Sequence, residues 1–255
     1  MNDASPSADE PNVVLITGAG RRVGNRVTRA LAAGGYRLAL HANRSLAEAR
    51  ATADELRATG TEAIAVQADL ADEAATRAMV ASVGEHFGRL DALVNNASVW
   101  SAKRLEEVAA ADVRRHLEVN TVATFVCGQA AGLLMAEQPT GGSIVNIGDW
   151  ATARPYLDYA HSYGSKGSVE SLPRAMAVEL AERNPRVRVN AILPGPVLFP
   201  EELSESERGE LIESTLVKRP GTPEDVAHAV VFLLENTFVT GVCLPVDGGR
   251  SIYTP

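Results

Sequence analysis

Short apolar blocks and longer amphipathic stretches alternate along nearly the whole chain of 255 residues. VVLIT (13–17) is an apolar run ending at Gly18. Val23, Val27, Ala30 and Leu31 then recur at helical spacing over 23–34, until Gly34-Gly35 ends the pattern. RLALHAN (37–43) predicts a second strand, and Ser45 is placed to cap the helix SLAEARATADELRATG, which closes at Gly60. AIAVQADL predicts a third strand, Asp72 starts a helix running to about Phe87, and ALVNNAS (92–98) predicts a fourth strand. Residues 112–136 predict one long helix, SIVNIGD (143–149) a fifth strand, 158–183 another long helix and VRVNAIL (187–193) a sixth strand. PEDVAHAVVFLLE is a last helix entered through Pro223, and VCLPVDGG (242–249) is a final strand and turn.

Strands that alternate with helices and are apolar on both faces imply a parallel sheet covered on both sides. Right-handed crossovers make it doubly wound, so the expectation is one α/β domain over 12–255 with a seven-stranded parallel sheet. Residues 1–11 read as a disordered tail. The stretch 195–220 is irregular, with prolines at both ends. Within it LFPEELSESERGELIESTLV (198–217) reads as a mobile helical lid with a solvated acidic face.

Composition narrows the function. The hydrophobic fraction of 45% allows a sizeable core, and 24 basic against 32 acidic residues give a net charge of −8. Such a chain lacks the broad basic footprint of a nucleic-acid binder, so an anionic ligand must be held by local positive charge. Cys127 and Cys243 sit in apolar settings and read as buried free thiols, and His41 and His161 lack metal-ligand spacing, so no metal is expected. The N-terminus has no basic or apolar leader pattern, and no apolar run is taken to reach membrane-spanning length, so a cytoplasmic location is expected.

TGAGRRVG (17–24) joins the first strand to the first helix. Glycines there let backbone N–H groups approach a pyrophosphate at the helix N-terminus. NAD binders place an acidic residue near the end of the second strand for the ribose hydroxyls, but HANRS (41–45) has none. Arg44 and Ser45 stand there, with Arg21 and Arg22 in the glycine turn. This cationic pocket suits a 2′-phosphate and points to NADP(H). At the other end of the chemistry, DYAHSYGSKG (158–167) carries Lys166. Ser162 stands four residues before it, Tyr163 three and Tyr159 seven, so all lie on or near one helical face. Asp149 follows the fifth strand at the carboxyl edge of the sheet, where ligands of open α/β sheets bind.

These motifs resemble the short-chain dehydrogenase/reductase family from about residue 12 to the end of the chain. TGAGRRVG is similar to TGxxxGxG, with Arg22 in place of the middle glycine. NNAS (95–98) is similar to NNAG, Asn120 in EVN matches the helix asparagine of the catalytic tetrad, and LPGPV (193–197) and VDGG (246–249) match two later turns. A narrower resemblance is to pteridine and dihydromonapterin reductases. It rests on Arg22, the H-x-x-R-S stretch, Trp100, Asp149 and the ending FVTGVCLPVDGGR (238–250).

The resemblance implies a Rossmann domain and reduction of a pterin-like or other small carbonyl or imine substrate. It implies NADP(H) contacts from Gly18, Arg21, Arg22, Val23, Gly24, His41, Asn43, Arg44, Ser45, Asp69, Leu70, Asn96, Ala97, Ser98, Asn120, Lys166, Pro194, Gly195 and Val197. Lys166 would hold the nicotinamide ribose and Asn120 a relay water. The substrate would meet Arg22, Ser98, Trp100, Asp149 and Tyr159. A homotetramer packed through the 112–136 and 158–183 helices and the last strand is also implied.

One departure stands out: the family pattern is Tyr-x-x-x-Lys, and here Ser162 occupies the tyrosine position. A bulge at the helix start could carry Tyr163 into the acid position. Tyr159 could instead act from one turn earlier, with Lys166 and Asp149 as partners. Or Ser162 leaves the site without a phenol, and the protein binds cofactor with little turnover. A 3-oxoacyl thioester or another ketone is the alternative substrate.

Overall fold

The computed structural model describes residues 12–198 and 203–253. The expected tail at 1–11 and residues 199–202 of the expected lid lie outside the described residues. The strands are β1 (Val13–Ile16), β2 (Arg37–Ala42), β3 (Ala63–Gln67), β4 (Ala92–Asn95), β5 (Gly142–Ile147), β6 (Val187–Pro194) and β7 (Cys243–Val246). The helices are α1 (Arg22–Ala33), α2 (Leu46–Ala58), α3 (Glu73–Phe87), α4 (Ala110–Leu117), α5 (Ala123–Glu137), α6 (Ala160–Arg183), α7 (Glu205–Glu213) and α8 (Pro223–Glu235).

All seven strands pair in parallel in the order β3-β2-β1-β4-β5-β6-β7. The chain leaves β1 toward β2 on one side and returns to β4 on the other, which opens a crevice at the carboxyl ends of β1 and β4. Successive residues of β1 serve opposite faces. Val13 and Leu15 join the core with α3, α5 and α6, through Val83, Ala131 and Leu180. Val14 and Ile16 join the core with α1, α2 and α8, through Leu31, Leu56 and Leu233. Burial on both faces explains the near-continuous apolar runs of the strands.

Two buried arginines tie these layers together. Arg89 grips Asp91 at 2.8 and 2.6 Å, and the same carboxylate accepts the Val13 N–H at 2.8 Å, fixing the start of β1. Arg188 on β6 donates to the carbonyls of Leu233, Leu234 and Val239, closing the C-terminal end of α8.

The structure departs from the sequence pattern in three places. The expected helix over 112–136 is α4 and α5 joined by a π-helical turn, Glu118–Val122. Ser45 stands at the N-cap of α2 without a side-chain capping bond. Its side chain lies instead against Gly20, where a Cβ would come within 2.8 Å of the Ser45 Oγ. The helix expected within 198–217 is α7, whose Ser204 and Glu207 form a capping box. Contrary to the expectation above, Ala110–Glu137 is long and apolar enough to cross a membrane by composition, with a mean hydropathy of 1.4 over an 18-residue window within it. Half of that window is buried in this fold, where Ala123, Cys127, Ala131 and Met135 are core residues.

Candidate active-site cleft

The glycine turn is built by mutual clamping of two segments. Thr17 Oγ1 accepts the N–H groups of Asn96 and Ala97, each at 3.0 Å. Asn96 Nδ2 donates back to the carbonyls of Thr17 and Gly18 at 3.0 and 3.1 Å. NNAS is therefore a brace for the turn as much as a wall of the cleft. Gly18 has φ +66, and a Cβ on Gly24 would meet the Gly18 carbonyl at 2.2 Å, so neither position admits a side chain. Arg22 has φ +52 at the place where the family motif has glycine. An arginine held in the left-handed region is strained, and its side chain faces the cleft.

His41 locks the same turn from behind. Its Nδ1 accepts the Gly18 N–H at 3.3 Å and its Nε2 lies 3.1 Å from the Ala68 carbonyl, an arrangement that fits the neutral imidazole protonated on Nε2. Burial pushes its pKa down, outweighing the Ala68 carbonyl and Asp69.

A cleft of about 1250 Å³ runs from this turn along the carboxyl ends of the strands. Arg21, Arg22, Asn43, Arg44 and Ser45 line one end. Arg21 is also paired with Glu48 on α2, through Nε at 2.9 Å. The tight glycine turn, the open approach to the start of α1 and the arginines fit a dinucleotide phosphate backbone. Every residue the sequence assigned to cofactor or substrate opens on this cleft except Asn120.

Asn120 is buried behind the cleft. The π turn aims its amide at the backbone of Val99, accepting from the N–H at 2.8 Å and donating to the carbonyl at 3.0 Å, and it also donates to Ser165 Oγ at 3.0 Å. In this structure it fixes the loop after β4 to α6.

The chemical end gathers Asp149, Trp100, Tyr156, Tyr159 and Lys166 on one wall. Burial lowers the Lys166 pKa, and the charge of Asp149 opposes that shift. Burial raises the Asp149 pKa, opposed by the Ala151 N–H at 2.9 Å and by Lys166. Tyr159 stands at the N-cap of α6 with its ring stacked on Trp100, centroids 4.7 Å apart and planes 13° apart. Helix α6 is regular from Ala160 onward, so the expected bulge that would carry Tyr163 into the acid position is absent. The π turn of this protein lies in Glu118–Val122 instead. The Tyr163 hydroxyl does not line the cleft. It accepts the Tyr156 N–H at 2.8 Å and faces the Tyr156 carbonyl at 3.4 Å. Ser162 is fully buried, and its hydroxyl has no hydrogen-bond partner among the described residues.

Sequence reasoning missed Tyr156, Trp150 and Arg250, which complete the substrate end. Tyr156 packs edge-on to Tyr159 at 5.1 Å, and Arg250 lies over the Trp150 ring at 4.5 Å. The aromatic spacing in DWATARPYLDY was the available signal for the first two. Arg250 was visible only as the last letter of VDGGR.

The family profile described as enoyl-(acyl carrier protein) reductase matches residues 18–251. A putative ketoacyl reductase of granaticin polyketide synthesis from Streptomyces violaceoruber is 36% identical, covering 96% of this chain and 98% of that protein. Pteridine reductase 1 from Leishmania tarentolae is 33% identical, covering 97% and 98%. Among solved structures, a blue fluorescent protein from a metagenomic library, in complex with NADPH, superposes with a TM-score of 0.85. It is 34% identical and covers 94% of this chain and 97% of that one. Likeness at this level over almost the full length means that the chain belongs to the short-chain dehydrogenase/reductase family of NAD(P)-dependent oxidoreductases.

Proposed function

We propose that the protein is an NADPH-dependent reductase of a flat, pterin-like ring or a related small carbonyl or imine compound. The observation that carries this reading is the wall on which the stacked rings of Trp100 and Tyr159 adjoin Asp149 and Lys166, in one cleft with the arginine-bearing glycine turn. The preference for NADPH rests on Arg22 and Arg44 in the cleft and on the absence of an acidic residue in HANRS. Pteridine reductase 1 is among the relatives, which supports a pterin. The ketoacyl reductase relative keeps a ketone in the test panel.

Bound NADPH supplies the hydride. The chain must supply a proton beside the acceptor and hold the ring in place. Tyr156 and Tyr159 are the phenols that open on the cleft; burial and then the charge of Asp149 push the Tyr156 pKa up and weaken it as an acid, and we assign Tyr159 the donor role. Lys166 favours the phenolate and holds the ribose, and Asp149, whose carboxyl burial makes easier to protonate, passes the proton on. Trp100 provides the flat apolar face on which a heterocycle stacks. Helix α7 closes over the substrate, with Leu203 and Leu211 already on the cleft wall.

One observation favours a second reading. The sealed hydroxyl of Ser162 fits a site that has lost its acid and binds NADPH with little turnover. Loss of NADPH absorbance with dihydrobiopterin, and with a panel of ketones and 3-oxoacyl thioesters, separates the two, provided NADPH binding is measured on the same preparation. Turnover of dihydrobiopterin is the expected result. Tight NADPH binding with no turnover of any compound would overturn the reductase reading in favour of the second.

A further inference from the structure

The substrate end of the cleft carries a cation that the hydride chemistry does not use. Arg250 follows β7 in a turn that Asp247 closes, accepting the N–H groups of Gly249 at 2.9 Å and Ser251 at 2.7 Å. That carboxylate is thereby engaged by the backbone, and Arg250 makes no ion pair among the described residues. Its guanidinium lies over the Trp150 ring, one Nη donates to the Leu211 carbonyl at 3.3 Å, and the buried Nε has no partner. The like-charged neighbour Arg154 donates to the carbonyls of Arg250 and Tyr253, and after burial its charge is the next cause that lowers the Arg250 pKa.

Arg250 stands in the wall shared by the main cleft and a smaller cavity of about 570 Å³ against α7. Three glutamates also line that cavity. Glu207 is engaged by the Ser204 N–H at 2.8 Å, and Glu213 pairs with Lys218 at 3.2 Å. Glu210 has no such partner among the described residues, and Lys218 and Arg250 against three glutamates leave this cavity one net negative charge, so the anion is expected on the main-cleft side of Arg250 rather than in the smaller cavity.

We infer that Arg250 is a specificity-determining residue that binds an anionic group, a carboxylate in the first instance, on the end of the substrate away from the reacting bond. A guanidinium laid flat on an indole has its orientation fixed while its N–H edge stays available, which suits two-point capture of a carboxylate. A half-buried cation has lost part of its hydration, and an anion on the ligand restores what water no longer supplies. This inference rests on the proposal that the cleft takes a flat ring.

The test compares binding of carboxypterin and hydroxymethylpterin, which differ in one anionic group, to the NADP⁺-loaded protein by quenching of tryptophan fluorescence. The native protein is expected to bind carboxypterin roughly tenfold tighter or more. Arg250→Gln should erase that preference by weakening carboxypterin more than hydroxymethylpterin, and Arg250→Lys should keep part of it. If Arg250→Gln fails to fold, the native comparison and Arg250→Lys still decide. Equal binding of the two pterins by the native protein, a preference that survives in Arg250→Gln, or binding of neither pterin would overturn the inference. Equal binding with dihydrobiopterin reduced would remove Arg250's role and leave the reductase reading intact. A charge preference with dihydrobiopterin not reduced would do the reverse.

Discussion

Ser162 and His41 show how much a single buried polar atom decides in this cleft. The Ser162 hydroxyl is fully buried and unpartnered, so it contributes desolvation without a hydrogen bond in return. Ser162→Ala should therefore leave stability unchanged or raise it by up to about 1 kcal/mol in urea unfolding. A loss above about 2 kcal/mol would mean that the hydroxyl has a partner of real strength.

His41 is the opposite case, a buried ring that uses both nitrogens. Its folded pKa lies below the ordinary value of about 6.5, so below that pH the unfolded chain takes up a proton that the folded one refuses. Its contribution to stability is whole above about pH 6.5 and is lost as pH falls through the window down to the folded pKa. His41→Gln should flatten the fall of unfolding free energy between about pH 7 and pH 5.5 relative to the native protein. An unchanged slope would refute the neutral-imidazole assignment. At this scale Lys166 and the missing tyrosine were legible because fixed spacing on one helix decides them, and Asp149 because it follows β5 at the carboxyl edge of the sheet. The sequence could not show that the Tyr163 hydroxyl is tied to the Tyr156 backbone, since that depends on the path of the loop entering α6.

Among the elements, the strand and helix alternation was legible because the central strands are buried on both faces and the helices that cover them on one. The π turn at Glu118–Val122 was not legible. Its residues are acceptable in an ordinary helix, and the turn coincides with a tertiary bond, Asn120 to the backbone of Val99. Arg188 was hidden for a similar reason. A charged residue inside VRVNAIL suggests a solvent-facing position, yet it is buried because its partners are the carbonyls at the end of α8, more than forty residues later. Arg188→Met should expose those carbonyls to an apolar side chain and lower stability by about 2–4 kcal/mol in chemical denaturation, with NADPH binding weakened only as the fold weakens. A loss under about 0.5 kcal/mol would mean that water caps α8 as well as the guanidinium does.

The whole molecule presents apolar side chains that the single chain does not cover. Phe125 and Leu133 on α5 are about 40% exposed, and Val178 on α6 is 73% exposed. These are the helices through which the family resemblance implies a homotetramer, and we propose that assembly here. Sedimentation equilibrium should return four times the chain mass of 27.0 kDa. A chain-mass species at micromolar concentration would contradict the assembly and leave those faces unexplained.

The most direct test of the account concerns which phenol works. Reduction of dihydrobiopterin should be compared in the native protein, Tyr159→Phe and Tyr163→Phe, with NADPH affinity measured for each. The account predicts that Tyr159→Phe lowers turnover by about a hundredfold or more while NADPH still binds, and that Tyr163→Phe changes it less than about tenfold. The reverse order would contradict it, because the tied hydroxyl of Tyr163 would then be the one that moves the proton.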